Sequence, residues 1–239
     1  MLDKSKKTGD SNFSEQEIAR FDALADSWWD PEGKYKTALD FNRARLNVIK
    51  AQIENHFGQG NLPPDYSALS VIDIGSGGGL ISEPLAKLGA QVTGIDASAV
   101  SVEVARRHAQ NTGVKVDYQH KLSSEVVEEG RQYDVVINAE VVEHVPDQQQ
   151  LMRECASLVK PGGLLILATL NRTLKSYVVA IVGAEYVMRY LPIGTHDWKK
   201  FVKPSELKCW IGNEFTLKYQ VGMRLNPLNG EWLTTSSLA

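Results

Sequence analysis

Between Val71 and Leu170, short apolar runs alternate with stretches of helical period. VIDIG (71–75), QVTGID (91–96), VDYQHK (116–121), YDVVINA (133–139) and LLILATL (164–170) read as strands. Leu80–Leu88, Ala99–Gln110 and Gln148–Val159 read as helices, the last stopped by Lys160-Pro161-Gly162-Gly163. Strands this apolar, separated by helices, predict a mostly parallel α/β sheet with helices on both faces. Upstream, Ser14 with Glu17 three residues on has the form of a capping box, and Ile18, Phe21, Leu24 and Ala25 make the apolar stripe of a first helix. SWWDPEG (27–33) breaks it, and a second helix runs from Leu39 to Phe57. The expected organisation is a flexible tail at 1–13, a helical cap at 14–60 and one α/β domain at 61–239, with a lid or insertion at 172–205 after the fifth strand.

Composition narrows the functional classes. The chain has 239 residues, a length that suits one domain with a short appendage. A net charge of -3 argues against a general nucleic-acid binder. Cys155 and Cys209 stand far apart in no metal spacing and read as reduced thiols. The polar N-terminus has no apolar core of a secretory signal, and its acidic residues disfavour a transit peptide. No uninterrupted apolar run reaches the ~20 residues of a membrane span, so an integral membrane protein is not expected.

VIDIGSGGGL places a glycine-rich turn, Asp73 to Leu80, after a buried strand and before a helix, where open α/β sheets bind ligands. Gly75, Gly77, Gly78 and Gly79 let backbone approach a ligand where a Cβ would clash. A dinucleotide fingerprint wants Gly or Ala where Leu80 stands. Asp73, inside the strand in the order apolar-Asp-apolar-Gly, is typical of methyltransferases, and its carboxylate suits the cationic end of S-adenosylmethionine better than a pyrophosphate. These two features set aside an NAD-dependent oxidoreductase. Asp96, about 20 residues after the loop, is placed to accept from both ribose hydroxyls, the alternative being an N-cap on the next helix. Arg45 is either a partner for the cofactor's carboxylate or a solvated side chain.

With these residues in view, the chain resembles the ubiquinone-biosynthesis O-methyltransferases over roughly Ile18 to Trp232. VIDIGSGGG, VTGID and VKPGG are common to class I methyltransferases. FDALADSWWDPEGKYKTALDFNRARL, NAEVVEHVPD, TLNRTLKSYVVAIVGAEY and LPIGTHDWKKFVKPSEL are the specific segments. The resemblance implies a Rossmann-like class I fold and methylation of phenolic hydroxyls on polyprenylated catechols, at the 2-polyprenyl-6-hydroxyphenol and 3-demethylubiquinol steps. It puts cofactor contacts on Arg45, Gly75, Asp96 and Ala139, to which the loop adds Asp73 and Gly77. It makes Glu140, Glu143 and His144 a metal-binding trio for Mg²⁺ or another divalent ion. Ser76 replaces a Cys common in the family, and TTSSLA ends the chain without the longer final strand of relatives.

The implied reaction needs a phenol whose pKa of ~10 is overcome by a base or a cation. A hard ion takes carboxylate oxygens and keeps waters, leaving room for a substrate oxygen. Alternatively His144, with Glu143 beside it, is a metal-free base, or the trio is a structural helix start. His196 and Tyr177 are candidates for the substrate pocket, whereas His56, His108 and His120 read as surface or packing residues.

KSYVVAIVGAEYVMRYL carries no charge between Lys175 and Glu185, is too short to span a bilayer, and has Arg172, Lys175, Arg189, Lys199, Lys200 and Lys203 around it. That pattern predicts reversible docking on an anionic membrane surface by residues 172–191, or a buried lid helix. The expected partners are a polyprenylated phenol, that membrane surface and other ubiquinone-biosynthesis proteins, with no nucleic acid. The expected place is the cytoplasmic or matrix face of the inner membrane. Two other readings stand beside this one: a class I methyltransferase for another small phenol or acid, and a non-catalytic assembly subunit. The intact loop, Asp96 and His144 weigh against the second.

Overall fold

The structure, a computed structural model, describes residues 12–22, 29, 36–60, 62–173, 197–226 and 229–238. Five strands form one parallel sheet: β1 Ser70–Ile74, β2 Gln91–Asp96, β3 Asp117–His120, β4 Tyr133–Ala139 and β5 Val159–Ala168, in the order β3-β2-β1-β4-β5. Strand order reverses beside β1, so the carboxyl ends of β1 and β4 frame a crevice. Helices α1 (Glu15–Asp22) and α2 (Lys36–Phe57) precede the sheet. Helices α3 (Ser82–Lys87), α4 (Ala99–Thr112), α5 (Ser123–Glu128) and α6 (Gln148–Ser157) lie between its strands, and α7 (Pro204–Trp210) follows.

Both faces of the sheet are covered, as the near-continuous apolar strands require. On one face Val71, Val92, Val135 and Ile137 pack with Leu85 of α3 and with Ile49 and Ile53 of α2. On the other, Ile72, Ile74, Ile95 and Val136 pack with Val126 of α5 and with Leu151, Met152 and Cys155 of α6. The period of two along β1 and β4 thus sorts side chains between two cores. Burying each such aliphatic side chain contributes ~1.5–3 kcal/mol, so α2 is part of the layered core and not a loose cap. Asp73 shares the Val71 face of β1 and points toward the α2 side.

Several boundaries differ from the sequence expectation. β2 and β4 match residue for residue, whereas β5 begins at Val159, ahead of the expected Leu164. The Pro161-Gly162-Gly163 stretch is absorbed in a register shift between Tyr133 and Val135 on the partner strand. β5 is the edge of this sheet, where an irregularity costs little pairing. Near the C-terminus, β6 (Gly222–Leu225) and β7 (Trp232–Thr235) pair antiparallel as a separate two-stranded sheet. The Trp232 ring sits 4.7 Å from Phe41 of α2. Among the described residues, no helix is long and apolar enough to cross a membrane.

Candidate active site

The glycine-rich turn is pinned to β2. The Gly75 and Ser76 N–H groups both donate to the Ile95 carbonyl, at 2.8 and 2.9 Å, and the Gly77 N–H donates to Asp96 Oδ2 at 2.9 Å. Gly75 has φ +75°, and a Cβ there would lie 2.2 Å from Val141 Cγ2. Gly79 has φ +86°, and its Cβ would lie 2.1 Å from the Tyr118 hydroxyl. At these two positions the chain itself, more than a ligand, forbids a side chain. Side chains from before the sheet grip the outer side of the turn. Trp29 Nε1 donates to the Gly78 carbonyl at 2.8 Å, and Asn42 Nδ2 to the Leu80 carbonyl at 2.9 Å.

Asp96 stands at the end of β2 with both oxygens partly used: Gly77 N–H donates to Oδ2 and Ser98 N–H to Oδ1, at 2.9 and 2.8 Å. Ser98, not Asp96, is the N-cap of α4, accepting from the Ser101 N–H. A carboxylate has about four lone-pair positions, so Asp96 keeps capacity for two further donors. Burial pushes its carboxyl above the usual range, against the bonds from Ser98 and Gly77.

Asp73 is 2 % exposed, and the Ser82 hydroxyl donates to its Oδ2 at 2.6 Å. Burial pushes its carboxyl up to about 6, opposed by the Ser82 bond and the Arg45 charge and reinforced by Asp96. Arg45 donates through Nη2 to Asn42 Oδ1 at 2.7 Å and stacks over Phe41, while its buried Nε has no hydrogen-bond partner. These residues fit S-adenosylmethionine. A buried carboxyl near 6 gains its charge most readily beside a cation, and an orphaned guanidinium N–H is a donor awaiting a carboxylate.

β4 ends at Ala139, and Glu140 takes φ +62°, the only non-glycine residue with positive φ among the described residues. A side chain in that region costs roughly 1–3 kcal/mol, and it turns the strand directly into the 3-10 turn Val142–His144. Glu143 is buried and accepts from the Thr169 hydroxyl at 3.0 Å. Burial first, and then the Glu140 charge, push its carboxyl up to about 8, so it is mostly neutral at pH 7. His144 faces elsewhere: its Nδ1 lies 3.0 Å from Glu17 Oε2 of α1.

The structure therefore brings Asp73, Gly75, Gly77, Asp96 and Arg45 together at one end of the sheet, with Ala139 beside them at the end of β4. It does not assemble Glu140, Glu143 and His144 into a ligand set. Among the described residues no group of three His, Cys, Asp or Glu side chains is placed to hold a metal ion. Glu143 is bonded to Thr169, and the Nδ1 of His144 faces Glu17. Tyr177 and His196, like most of the apolar 172–191 segment, lie outside the described residues. The roots of that segment do not. Trp198 Nε1 donates to the Thr173 carbonyl at 3.1 Å, Arg172 pairs with Glu206, and Val202 N–H donates to the Leu170 carbonyl. The chain thus leaves and returns beside Thr169 and Glu143.

Sequence reasoning missed Glu17, Trp29 and His108 as parts of this neighbourhood. The Trp29 ring stacks on His108 at 3.6 Å, and His108 Nδ1 meets the fully buried Glu83 at 2.7 Å. A Trp pair before a glycine loop was the available signal, but its target lies 49 residues away.

Comparison with known proteins agrees with this geometry. The methyltransferase domain family matches residues 72–167. The ubiquinone biosynthesis O-methyltransferase of Paramagnetospirillum magneticum is 47% identical over 94% of this chain and 91% of its own length. The enzyme of that name from Pelagibacter ubique is 45% identical over 95% and 94%. Among solved structures, the magnesium protoporphyrin IX methyltransferase of Synechocystis with bound SAH superposes with a TM-score of 0.61 at 20% identity, covering 91% of both chains. The plantazolicin methyltransferase superposes at 0.57 with 18% identity over 82% of this chain and 74% of its own. These two likenesses concern the fold.

Proposed function

The chain belongs to the ubiquinone biosynthesis O-methyltransferases, S-adenosylmethionine-dependent enzymes, and on that premise we propose that it methylates a phenolic hydroxyl of a polyprenylated catechol with His144 as the base. The observation that carries the reading is Asp96. Its carboxylate is oriented by the Gly77 and Ser98 N–H groups and spared from capping α4, which leaves it two acceptor positions for a ribose diol. Arg45 supplies an unpartnered N–H for the amino-acid carboxylate, and Asp73 a carboxylate for the cationic end.

S-adenosylmethionine, when bound, supplies an electrophilic methyl on a sulfonium centre. The residues around it do the rest. The turn and Arg45 set the cofactor's orientation toward the tip of β4, where His144 stands. A phenol has a pKa of ~10, so attack at neutral pH is helped by a base that takes the proton as the oxygen–carbon bond forms and the carbon–sulfur bond breaks. An imidazole titrates in the right range for this. The apolar segment rooted beside Glu143 suits the polyprenyl tail, with an anionic inner-membrane surface on the cytoplasmic or matrix side as its docking plane. Other ubiquinone-biosynthesis proteins are the natural sources and receivers of such a substrate.

Turnover after exhaustive chelation tests the metal-free reading. Full activity in the stripped protein is expected. Activity that disappears and returns only with Mg²⁺, Mn²⁺ or Zn²⁺ would contradict it.

A further inference from the structure

We infer that Trp29 is a positioning residue for S-adenosylmethionine: its indole closes a ring of contacts that gives the second half of the cofactor turn its shape. Its role lies in cofactor binding alone and is independent of which group takes the phenol proton.

The two halves of the turn are held differently. Gly75, Ser76 and Gly77 are tied to β2 through the Ile95 carbonyl and Asp96. Gly77-Gly78-Gly79 brings no side chain of its own, and glycine keeps the widest backbone freedom, so neighbours must impose its conformation. At the buried Gly78 that neighbour is Trp29, whose Nε1–H donates to the carbonyl at 2.8 Å. An indole N–H can only donate, and a buried carbonyl without a donor is costly, so the bond suits both groups.

The contacts close on themselves. The Gly79 carbonyl accepts from the N–H of Glu83, in the first turn of α3, at 3.0 Å. The Glu83 side chain is fully buried and reaches α4, where it lies 2.7 Å from His108 Nδ1 and accepts from the Thr112 hydroxyl at 3.2 Å. The His108 imidazole in turn carries the Trp29 indole, with ring centres 3.6 Å apart and planes 3° from parallel. Turn, α3, α4 and Trp29 thus form one circuit, which the indole enters from ahead of the sheet. Stacking fixes the plane of the indole and with it the direction of its N–H. The same α3 supplies the Ser82 hydroxyl to Asp73 Oδ2 at 2.6 Å, so a turn released at Gly78 also disturbs the carboxylate meant for the cationic end of the cofactor. Cofactor affinity therefore depends on a tryptophan that precedes the first strand.

The test compares the full chain with Trp29→Phe, Trp29→Ala, His108→Ala and the Trp29→Ala/His108→Ala double variant, after thermal melts establish folding. Titration calorimetry with S-adenosylmethionine and with S-adenosylhomocysteine is read beside the indole ¹H–¹⁵N signal of Trp29, identified by its loss in Trp29→Phe. Trp29→Phe keeps a ring to stack but loses the N–H, and its Kd should rise by ~3–10-fold. Trp29→Ala loses both contacts and should weaken binding by ~10–100-fold. The double variant should bind no worse than about threefold below Trp29→Ala, because the two side chains act as one unit. In the wild type the indole proton should be protected from exchange, and the protection should increase when S-adenosylhomocysteine binds. Wild-type Kd in folded Trp29→Phe and Trp29→Ala would overturn the inference, as would an indole signal that does not respond to the cofactor, since a merely structural contact would behave so. Should Trp29→Ala fail to fold, Trp29→Phe and the indole signal decide. No phenol is present in these titrations, so a negative result leaves the proposed methylation standing.

Discussion

Ser82 donates its hydroxyl to Asp73 Oδ2 at 2.6 Å, joining the first turn of α3 to the last inward-facing carboxyl of β1 beneath the cofactor loop. The bond keeps a fully buried acid from being left unpaired, but burial still raises its pKa from 3.8 to about 6. The folded form therefore binds the proton more tightly than the unfolded chain. This contribution to stability is complete below pH 4 and is lost as pH rises through about 6. Cofactor binding works in the other direction.

A cation beside Asp73 favours its charged form, so the bound protein has the lower pKa. Affinity for S-adenosylmethionine should weaken as pH falls through about 6, and binding at that pH should expel a proton. Calorimetry in two buffers of different ionisation enthalpy measures that proton directly. Asp73→Asn should abolish both effects. Proton-neutral binding by the wild type would remove Asp73 from the cationic end of the cofactor.

Asp96→Ala should weaken cofactor binding by at least ~100-fold, since two charge-assisted bonds to a ribose are worth ~1.5–3 kcal/mol each. The variant also strands the Gly77 and Ser98 N–H groups, so its melting temperature should drop slightly while the protein stays folded. Titration calorimetry on the folded variant decides it. Unchanged affinity would take Asp96 out of the site.

Glu143 is raised from 4.5 to about 8 by burial and the Glu140 charge, so it stabilises the fold as a neutral acid. Its contribution is complete below pH 4.5 and declines as pH rises through about 8. Glu143→Gln keeps an acceptor for the Thr169 hydroxyl and cannot ionise. In denaturant unfolding with chelator present, the wild type should lose stability between pH 5 and 9, and the variant should be at least ~1 kcal/mol the more stable at the alkaline end. Parallel curves for the two proteins would refute a neutral Glu143.

Val179 and Ile181 lie in the apolar segment whose roots are tied together by the Trp198–Thr173 bond. The protein should float with phosphatidylglycerol vesicles at low salt, and less so as salt rises, because basic residues near the surface contribute ~1 kcal/mol each. Val179→Ser/Ile181→Ser should reduce flotation without unfolding. Absence of flotation by the wild type at low salt would leave the segment as a lid alone.

The parallel sheet and the cofactor loop were legible because their signals are local. A buried strand such as Tyr133–Ala139 is apolar on both faces, and a turn that needs positive φ must be glycine at Gly75 and Gly79. α5 (Ser123–Glu128) escaped because six residues carry too little periodicity to register. β5 was shortened because Pro161 and Gly162 read as a break, whereas an edge strand tolerates them as an irregularity. The partner of His144 was illegible for a different reason. Glu17 is 127 residues away, and nothing in a one-dimensional pattern tells a capping glutamate from one that reaches across the sheet.

Methyl transfer from S-adenosylmethionine to a catechol oxygen can be followed with a labelled methyl group. The chelated protein is incubated with methyl-labelled S-adenosylmethionine and a short-prenyl catechol, and the product is identified by mass and by the position of the label. A labelled methyl ether on the ring is expected, with transfer much reduced in His144→Ala. Cofactor binding without any label on a ring oxygen, or label appearing on a carboxylate instead, would contradict it.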